Sequence, residues 1–222
     1  MSLDPLPEPP EHLRQRQLTL IEFSEPLYRT HGVKRNPKTP GSVGTNRFDA
    51  PDGTYDVVYY GRDPYCAFVE TFAHPAGTRS VTTAALKSRA LSTLRPLRPL
   101  ILIDLTQSGS LFRIGADARL FTSEYNISQR WSKALHDHPA GVQGLLYVCR
   151  LDPTRQSVAL FIDREPKLIE LERQSWYASG PQRLLLAQII EHYRIELIES
   201  HYVAPRKPVG SQIQEVFPEL ND

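Results

Sequence analysis

The run Asp56-Val57-Val58-Tyr59-Tyr60, followed two residues later by Asp63-Pro64, constrains the fold more than any other stretch of this chain. A β-branched and aromatic run of this kind predicts a strand. Asp before Pro has the form of a helix N-cap with proline at the first helical position, where its missing N–H costs nothing. A strand therefore passes almost directly into a helix. That helix carries Ala67, Glu70, Thr71 and His74 along one side, with Cys66, Phe68, Val69 and Phe72 as its apolar remainder. A glutamate among so many apolar neighbours is partly buried, the setting in which a carboxylate needs a partner.

The flanking segments read in the same terms. Leu3 to Pro10 holds four prolines and predicts an extended lead-in. Glu11 to Phe23 predicts a short helix resting on Leu13, Leu18 and Ile21, which makes residues 1–24 an appendage to the domain. Leu27 to Thr30 predicts a brief strand. Val33 to Gly44, with Pro37, Pro40, Gly41 and Gly44, predicts a loop that approaches a ligand. Pro99 to Leu105 is continuously apolar, hence a buried strand. Ile127, Trp131, Ala134 and Leu135 have helical spacing and predict a helix over Asn126 to His136 with Asn126 as its cap. Gly144 to Leu151 and Ser157 to Asp163 predict strands parted by the turn Asp152-Pro153-Thr154. Gly180-Pro181 opens a helix to about Tyr193, Ile195 to Ile198 is a last strand, and a polar tail occupies 201–222. Short strands and few helices that do not alternate as βαβ units place the chain in the α+β class, with one domain over 25–200. His74-Pro75-Ala76-Gly77 recurs at His138-Pro139-Ala140-Gly141, but the flanks differ, so it marks no repeat.

Composition narrows the function. A formal net charge of +1 over 222 residues argues against a general nucleic-acid or membrane-surface binder. No apolar run approaches the ~20 residues that span a bilayer, and no secretory signal precedes the domain. The two cysteines, Cys66 and Cys149, sit in apolar stretches, which speaks against a disulfide framework or zinc site and fits a reducing cytoplasm. His136-Asp137-His138 lacks a third ligand motif, so no metal is expected.

Between Tyr28 and Glu70 lie Arg29 beside Tyr28, Arg47 beside Phe48, the Tyr59-Tyr60 pair and one helix carboxylate. That set suits a ligand anionic at one place and becoming cationic at another. A dinucleotide whose glycosidic bond is breaking is such a ligand, and NAD is the expectation: Arg29 and Arg47 hold its diphosphate, or an inorganic phosphate acting as nucleophile, and Glu70 stabilises the oxocarbenium ion. The Tyr59 hydroxyl would bond a ribose or the carboxamide, and Tyr60, of opposite strand parity, would face away. The plainer alternatives are a surface helix glutamate, solvating arginines and an amphipathic core tyrosine. Trp131 reads as core and Gln129 as reaching the cleft. Cys149 lacks a partner that would make it a nucleophile. No glycine fingerprint of a dinucleotide fold exists, Gly109 and Gly115 having the wrong spacing, so NAD would be a substrate and not a bound hydride carrier.

The segments Tyr28-Arg29, Asn46-Arg47-Phe48, Val58-Tyr59, Ala67-Phe68-Val69-Glu70, Asp104-Leu105, Gln129-Arg130-Trp131 and Gly144 to Arg150, in this order, resemble the RES-domain proteins, named for an arginine, a glutamate and a serine. The resemblance spans roughly Leu27 to Phe161. It implies a fold similar to the ADP-ribosyltransferases, with small antiparallel sheets flanking an NAD cleft. It implies a toxin of a bacterial toxin–antitoxin pair that destroys NAD by phosphorolysis or hydrolysis, with a helix-turn-helix antitoxin whose C-terminal part occludes the cleft, in a homo- or hetero-oligomer. Glu70, Arg29, Arg47 and Tyr59 then carry the catalysis, and Tyr28, Phe48, Gln129 and Cys149 bind substrate. The family's serine falls at Cys149, a weaker donor of similar size; another register puts it at Ser157. Two alternatives stay open: a mono-ADP-ribosyltransferase that modifies a protein, and an antitoxin-binding protein whose activity Cys149 has weakened.

Overall fold

The computed structural model describes residues 5–41, 44–73, 77 and 79–199. In chain order the elements are β1 (Leu20–Phe23), β2 (Leu27–Gly32), β3 (Val57–Gly61), α1 (Pro64–Phe72), β4 (Ser80–Thr82), α2 (Thr83–Lys87), β5 (Arg89–Pro96), β6 (Leu100–Asp104), α3 (Ser110–Ile114), α4 (Tyr125–His136), β7 (Gly144–Val148), β8 (Gln156–Phe161), β9 (Leu168–Ser175), α5 (Pro181–Tyr193) and β10 (Glu196–Ile198). Eight strands form one sheet in the order β1-β6-β7-β8-β3-β2-β5-β9, antiparallel at every junction except the parallel β6–β7 pair. β4 and β10 form a separate parallel pair. The class is α+β, as the sequence predicts.

The sheet is nearly divided at its middle. β2 pairs with β5 along its whole length, and β3 pairs with β8 along its whole length. Between them β2 and β3 share a single pair, Tyr28 opposite Gly61. The expected small sheets are thus the two arms of one sheet, hinged at this point and splayed beyond it.

Apolar periodicity explains how the helices cover the arms. α4 buries Trp131 and Leu135 against Phe48, Ile103, Leu145 and Phe161. α1 buries Cys66, Ala67, Phe68 and Val69 in succession because it is covered on more than one side. Phe68 packs on Trp176, and α5 adds Leu186 and Ile189 to the same cluster. Both tryptophans satisfy their indole N–H: Trp131 donates to the Pro7 carbonyl at 2.8 Å and Trp176 to the Thr30 hydroxyl at 3.1 Å.

Three local expectations change. The helix predicted over Glu11 to Phe23 is a 3-10 turn over Glu11–Gln15 followed by the edge strand β1, because Leu20 to Phe23 find partners in Leu100 to Ile103. Leu6, Leu13 and Leu18 are buried with Trp131, so this segment contributes to the domain core. α4 begins one residue before Asn126, with Glu124 at the cap position and no side-chain cap bond. The lead-in before residue 5, His74 and the tail from 201 onward lie outside the described residues. Among those described, no helix is long and apolar enough to cross a membrane.

Candidate active site

Where β2 and β3 part, a cavity of about 250 Å3 opens between them. Tyr28, Arg29 and Thr30 line it from β2, Tyr59, Tyr60 and Gly61 from β3, and Glu70 and Thr71 from α1. Residues of both strand parities reach it because it lies between the strands and not above one face. Tyr60, predicted to face away, therefore lines it too. The turn that brings α1 over the cavity depends on Gly61: a Cβ there would stand 2.7 Å from the Ala67 nitrogen and 2.8 Å from the Asp63 carbonyl. Asp63 caps the helix as its sequence form predicts, accepting from Cys66 N at 2.9 Å.

Two donors converge on one oxygen of Glu70. The Arg150 N–H reaches Oε1 at 2.9 Å and the Cys149 thiol reaches the same atom at 3.1 Å. Among the described residues no hydrogen bond reaches Oε2. The carboxylate is thereby oriented through Oε1, and Glu70 lines the cavity. Cys149 itself is fully buried and does not line the cavity. Its contact with Cys66, together with burial and the Glu70 charge, pushes its thiol pKa far up, so it stays a proton donor and not a thiolate. The Cys66 thiol in turn meets the Ser157 hydroxyl at 3.0 Å, and Ser157 lines the cavity.

The two predicted arginines are both cavity-lining and both anchored. Arg29 donates through Nη1 to the carbonyls of Pro37 at 2.6 Å and Thr39 at 2.8 Å, which pins the proline-rich loop, and lies over the Tyr60 ring. Arg47 donates through Nη1 to the Ser123 carbonyl at 2.6 Å and the Ser128 hydroxyl at 2.9 Å, and lies over the Tyr125 ring. Burial lowers both guanidinium pKa values from their usual range, and Arg150 lowers Arg47 further while Glu70 opposes it. Both remain cations in the working range of pH. Arg150 is a third arginine on the cavity wall, one residue beyond Cys149.

Tyr59 lines the cavity, but its hydroxyl is engaged. It accepts from Phe48 N at 2.9 Å and donates to Asp49 Oδ1 at 2.8 Å. Burial, then the Asp49 charge, raises its pKa well above the ordinary phenol value. Phe48 is fully buried under the Tyr147 ring, edge to face at 4.8 Å, and is not among the cavity residues. Gln129 is also set back: Nε2 donates to the carbonyls of Gly44 at 3.0 Å and Asn46 at 2.9 Å, so it grips the loop that presents Arg47. Of the eight residues singled out, Glu70, Arg29, Arg47, Tyr59 and Tyr28 meet at the cavity, while Phe48, Gln129 and Cys149 stand behind it.

Asn46, Phe121, Tyr125, Tyr147 and Arg150 also line the cavity, although none is among the eight residues to which the sequence assigns a role. Asn46 and Arg150 adjoin positions already singled out and were within reach. Phe121, Tyr125 and Tyr147 are indistinguishable from core aromatics until the fold places them. No group of potential metal ligands exists among the described residues; His136 instead stacks on Tyr55 at 4.0 Å and bonds Asp137 and Asp163.

Three comparisons with known proteins bear on this arrangement. A family model described as RES domain matches residues 26–186. The chain is 30% identical over 126 residues to the probable toxin y4kH of Sinorhizobium fredii (strain NBRC 101917 / NGR234), a match covering 55% of this chain and 93% of that protein. The crystal structure of the M. tuberculosis MbcT–MbcA toxin–antitoxin complex contains a chain of similar fold, with a TM-score of 0.61, 20% identity, and coverage of 80% of this chain and 98% of that one.

Proposed function

The chain belongs to the RES domain family, and from that premise we propose that it is the toxin of a toxin–antitoxin pair and that it cleaves the nicotinamide–ribose bond of NAD. The observation that carries this reading is the charge pattern of one cavity: among the described residues Arg29, Arg47 and Arg150 line it together with a single carboxylate, Glu70. Arginine forks suit a diphosphate, and a carboxylate suits a sugar carbon becoming cationic.

Each part then has a task. Arg29 and Arg47 are pinned through Nη1 to fixed acceptors, which leaves the rest of each guanidinium for phosphoryl oxygens at little further entropic cost. Glu70 stabilises the oxocarbenium ion as the bond to nicotinamide lengthens. Tyr147, Phe121 and Tyr125 supply aromatic walls for the leaving ring. About 250 Å3 is below the roughly 300–1,000 Å3 that encloses a whole drug-sized ligand, so the nicotinamide riboside half enters and the adenosine half lies towards the rim. ADP-ribose then passes to phosphate or water. An antitoxin with a helix-turn-helix domain is the proposed partner, part of which occupies the cavity mouth.

Incubating the purified protein with NAD, with and without inorganic phosphate, and resolving the products tests the reaction. Free nicotinamide with phosphate-dependent ADP-ribose phosphate indicates a phosphorylase. Plain ADP-ribose in both conditions indicates a glycohydrolase. Intact NAD in both defeats the proposal.

A further inference from the structure

Asp49 is 4% exposed, yet forms no ion pair among the described residues. A buried carboxylate without a basic partner is costly, and it is tolerated only where hydrogen bonds satisfy it. Three do so here. The Tyr59 hydroxyl donates to Oδ1 at 2.8 Å, and Oδ2 accepts from Asn46 N at 2.9 Å and from Asn46 Nδ2 at 3.0 Å. The same hydroxyl accepts from Phe48 N, and Gln129 holds the Asn46 carbonyl from the other side. Residues 46, 48 and 49 are thus each tied down, and the residue between them is Arg47.

We propose that Asp49 is a positioning residue: through Tyr59 and Asn46 it sets where the loop presents Arg47 and Asn46 to the anionic part of the ligand. An apolar residue at this depth would serve stability as well, so the carboxylate is held for the geometry it imposes. The network also fixes Asn46. Its two amide protons go to Asp49 Oδ2 and Thr45 Oγ1, at 3.0 and 3.3 Å, which leaves Oδ1 as an acceptor on a cavity-lining side chain. Glu70 lies outside the network, so disturbing it alters grip on the anion and leaves the bond-breaking group in place.

This inference rests on the proposed NAD reaction but is measured with a second ligand as well. The experiment compares wild type, Asp49→Asn, Tyr59→Phe and the double variant in NAD turnover and in calorimetric titration with inorganic pyrophosphate. Asp49→Asn leaves one acceptor oxygen where there were two, so either the Asn46 donors or the Tyr59 hydroxyl then face an N–H. It is expected to raise KM for NAD and Kd for pyrophosphate about tenfold, the scale of a lost hydrogen bond to a charged group, with kcat within about threefold. Tyr59→Phe is expected to move both constants in the same direction, and the double variant to add little to Asp49→Asn. Should Asp49→Asn fail to fold, Tyr59→Phe decides between the outcomes alone. Unchanged KM and pyrophosphate affinity in the variants would overturn the inference while NAD cleavage stands. Wild type that binds pyrophosphate but leaves NAD intact would defeat the reaction, with the pyrophosphate series still judging Asp49. Wild type that does neither overturns both.

Discussion

Cys149 Sγ lies 3.1 Å from Glu70 Oε1, although 79 positions separate them in the chain. The contact exists because β7 delivers the segment 149–150 beside α1, where the Arg150 N–H meets the same oxygen. Cys149 thus acts on the carboxylate from behind, as a donor, and does not itself line the cavity.

That placement predicts a graded series at one position. Cys149→Ser retains the donor in stronger form and should keep or raise NAD cleavage. Cys149→Ala removes it and should lower kcat about tenfold with KM little changed, the scale of one hydrogen bond to a charged group. Steady-state kinetics on both variants checks this. Equal activity in wild type and Cys149→Ala would show that the thiol has no part in orienting Glu70.

Arg29 joins two tasks, since the guanidinium that faces the cavity also pins Pro37 and Thr39. Lysine can supply the charge but not the fork. Arg29→Lys is therefore expected to raise KM for NAD about tenfold or more and to make the loop at 37–40 more susceptible to proteolysis. A variant with wild-type KM and an equally protected loop would contradict both roles.

Gly61 is required by close approach and not by its backbone angles. Adding a methyl forces either α1 or β3 to move, because the atoms it meets are backbone. Gly61→Ala should destabilise the fold by about 1–3 kcal/mol, read from urea unfolding, and should reduce activity further by displacing Glu70. An unchanged unfolding midpoint would show that the junction is looser than its geometry indicates.

Alkaline pH should unfold the protein through its phenols. Burial raises Tyr55, Tyr59, Tyr147 and Tyr193 above the usual value and holds Tyr60 at about 12. The unfolded chain gives up these protons near pH 10, whereas the folded chain retains them. Their contribution is complete below that pH and is lost as pH rises towards the folded values. Spectrophotometric titration should show these five of the ten tyrosines ionising late and together with loss of tertiary structure. Ten phenols titrating as one group near pH 10, with the fold intact, would contradict the burial.

Legibility in the sequence followed the range of the interactions. Asp63-Pro64 announced the start of α1 because capping is chemistry between residues three apart. The helical spacing of Trp131 and Leu135 announced α4 for the same reason. Leu13, Leu18 and Ile21 pointed to a helix where β1 stands, since a partner some 80 residues away, Leu100 to Ile103, decided the outcome. β9 escaped notice because an edge strand with Ile169 and Leu171 exposed carries no buried alternate face. At the cavity, Arg29, Arg47 and Glu70 stood out as charges among aromatics. The commitment of the Tyr59 hydroxyl to Asp49 depends on a loop closing back on β3, which no local pattern records.

Glu70 is the residue on which the proposed chemistry turns, and the most direct measurement is release of nicotinamide from NAD by wild type and Glu70→Gln side by side, with thermal unfolding of both. Glutamine keeps the size and an acceptor for Cys149 and Arg150 but not the charge. Melting should therefore stay within a few degrees while release falls by at least about a hundredfold, the scale of removing one transition-state electrostatic group. Full nicotinamide release by folded Glu70→Gln would contradict the central claim.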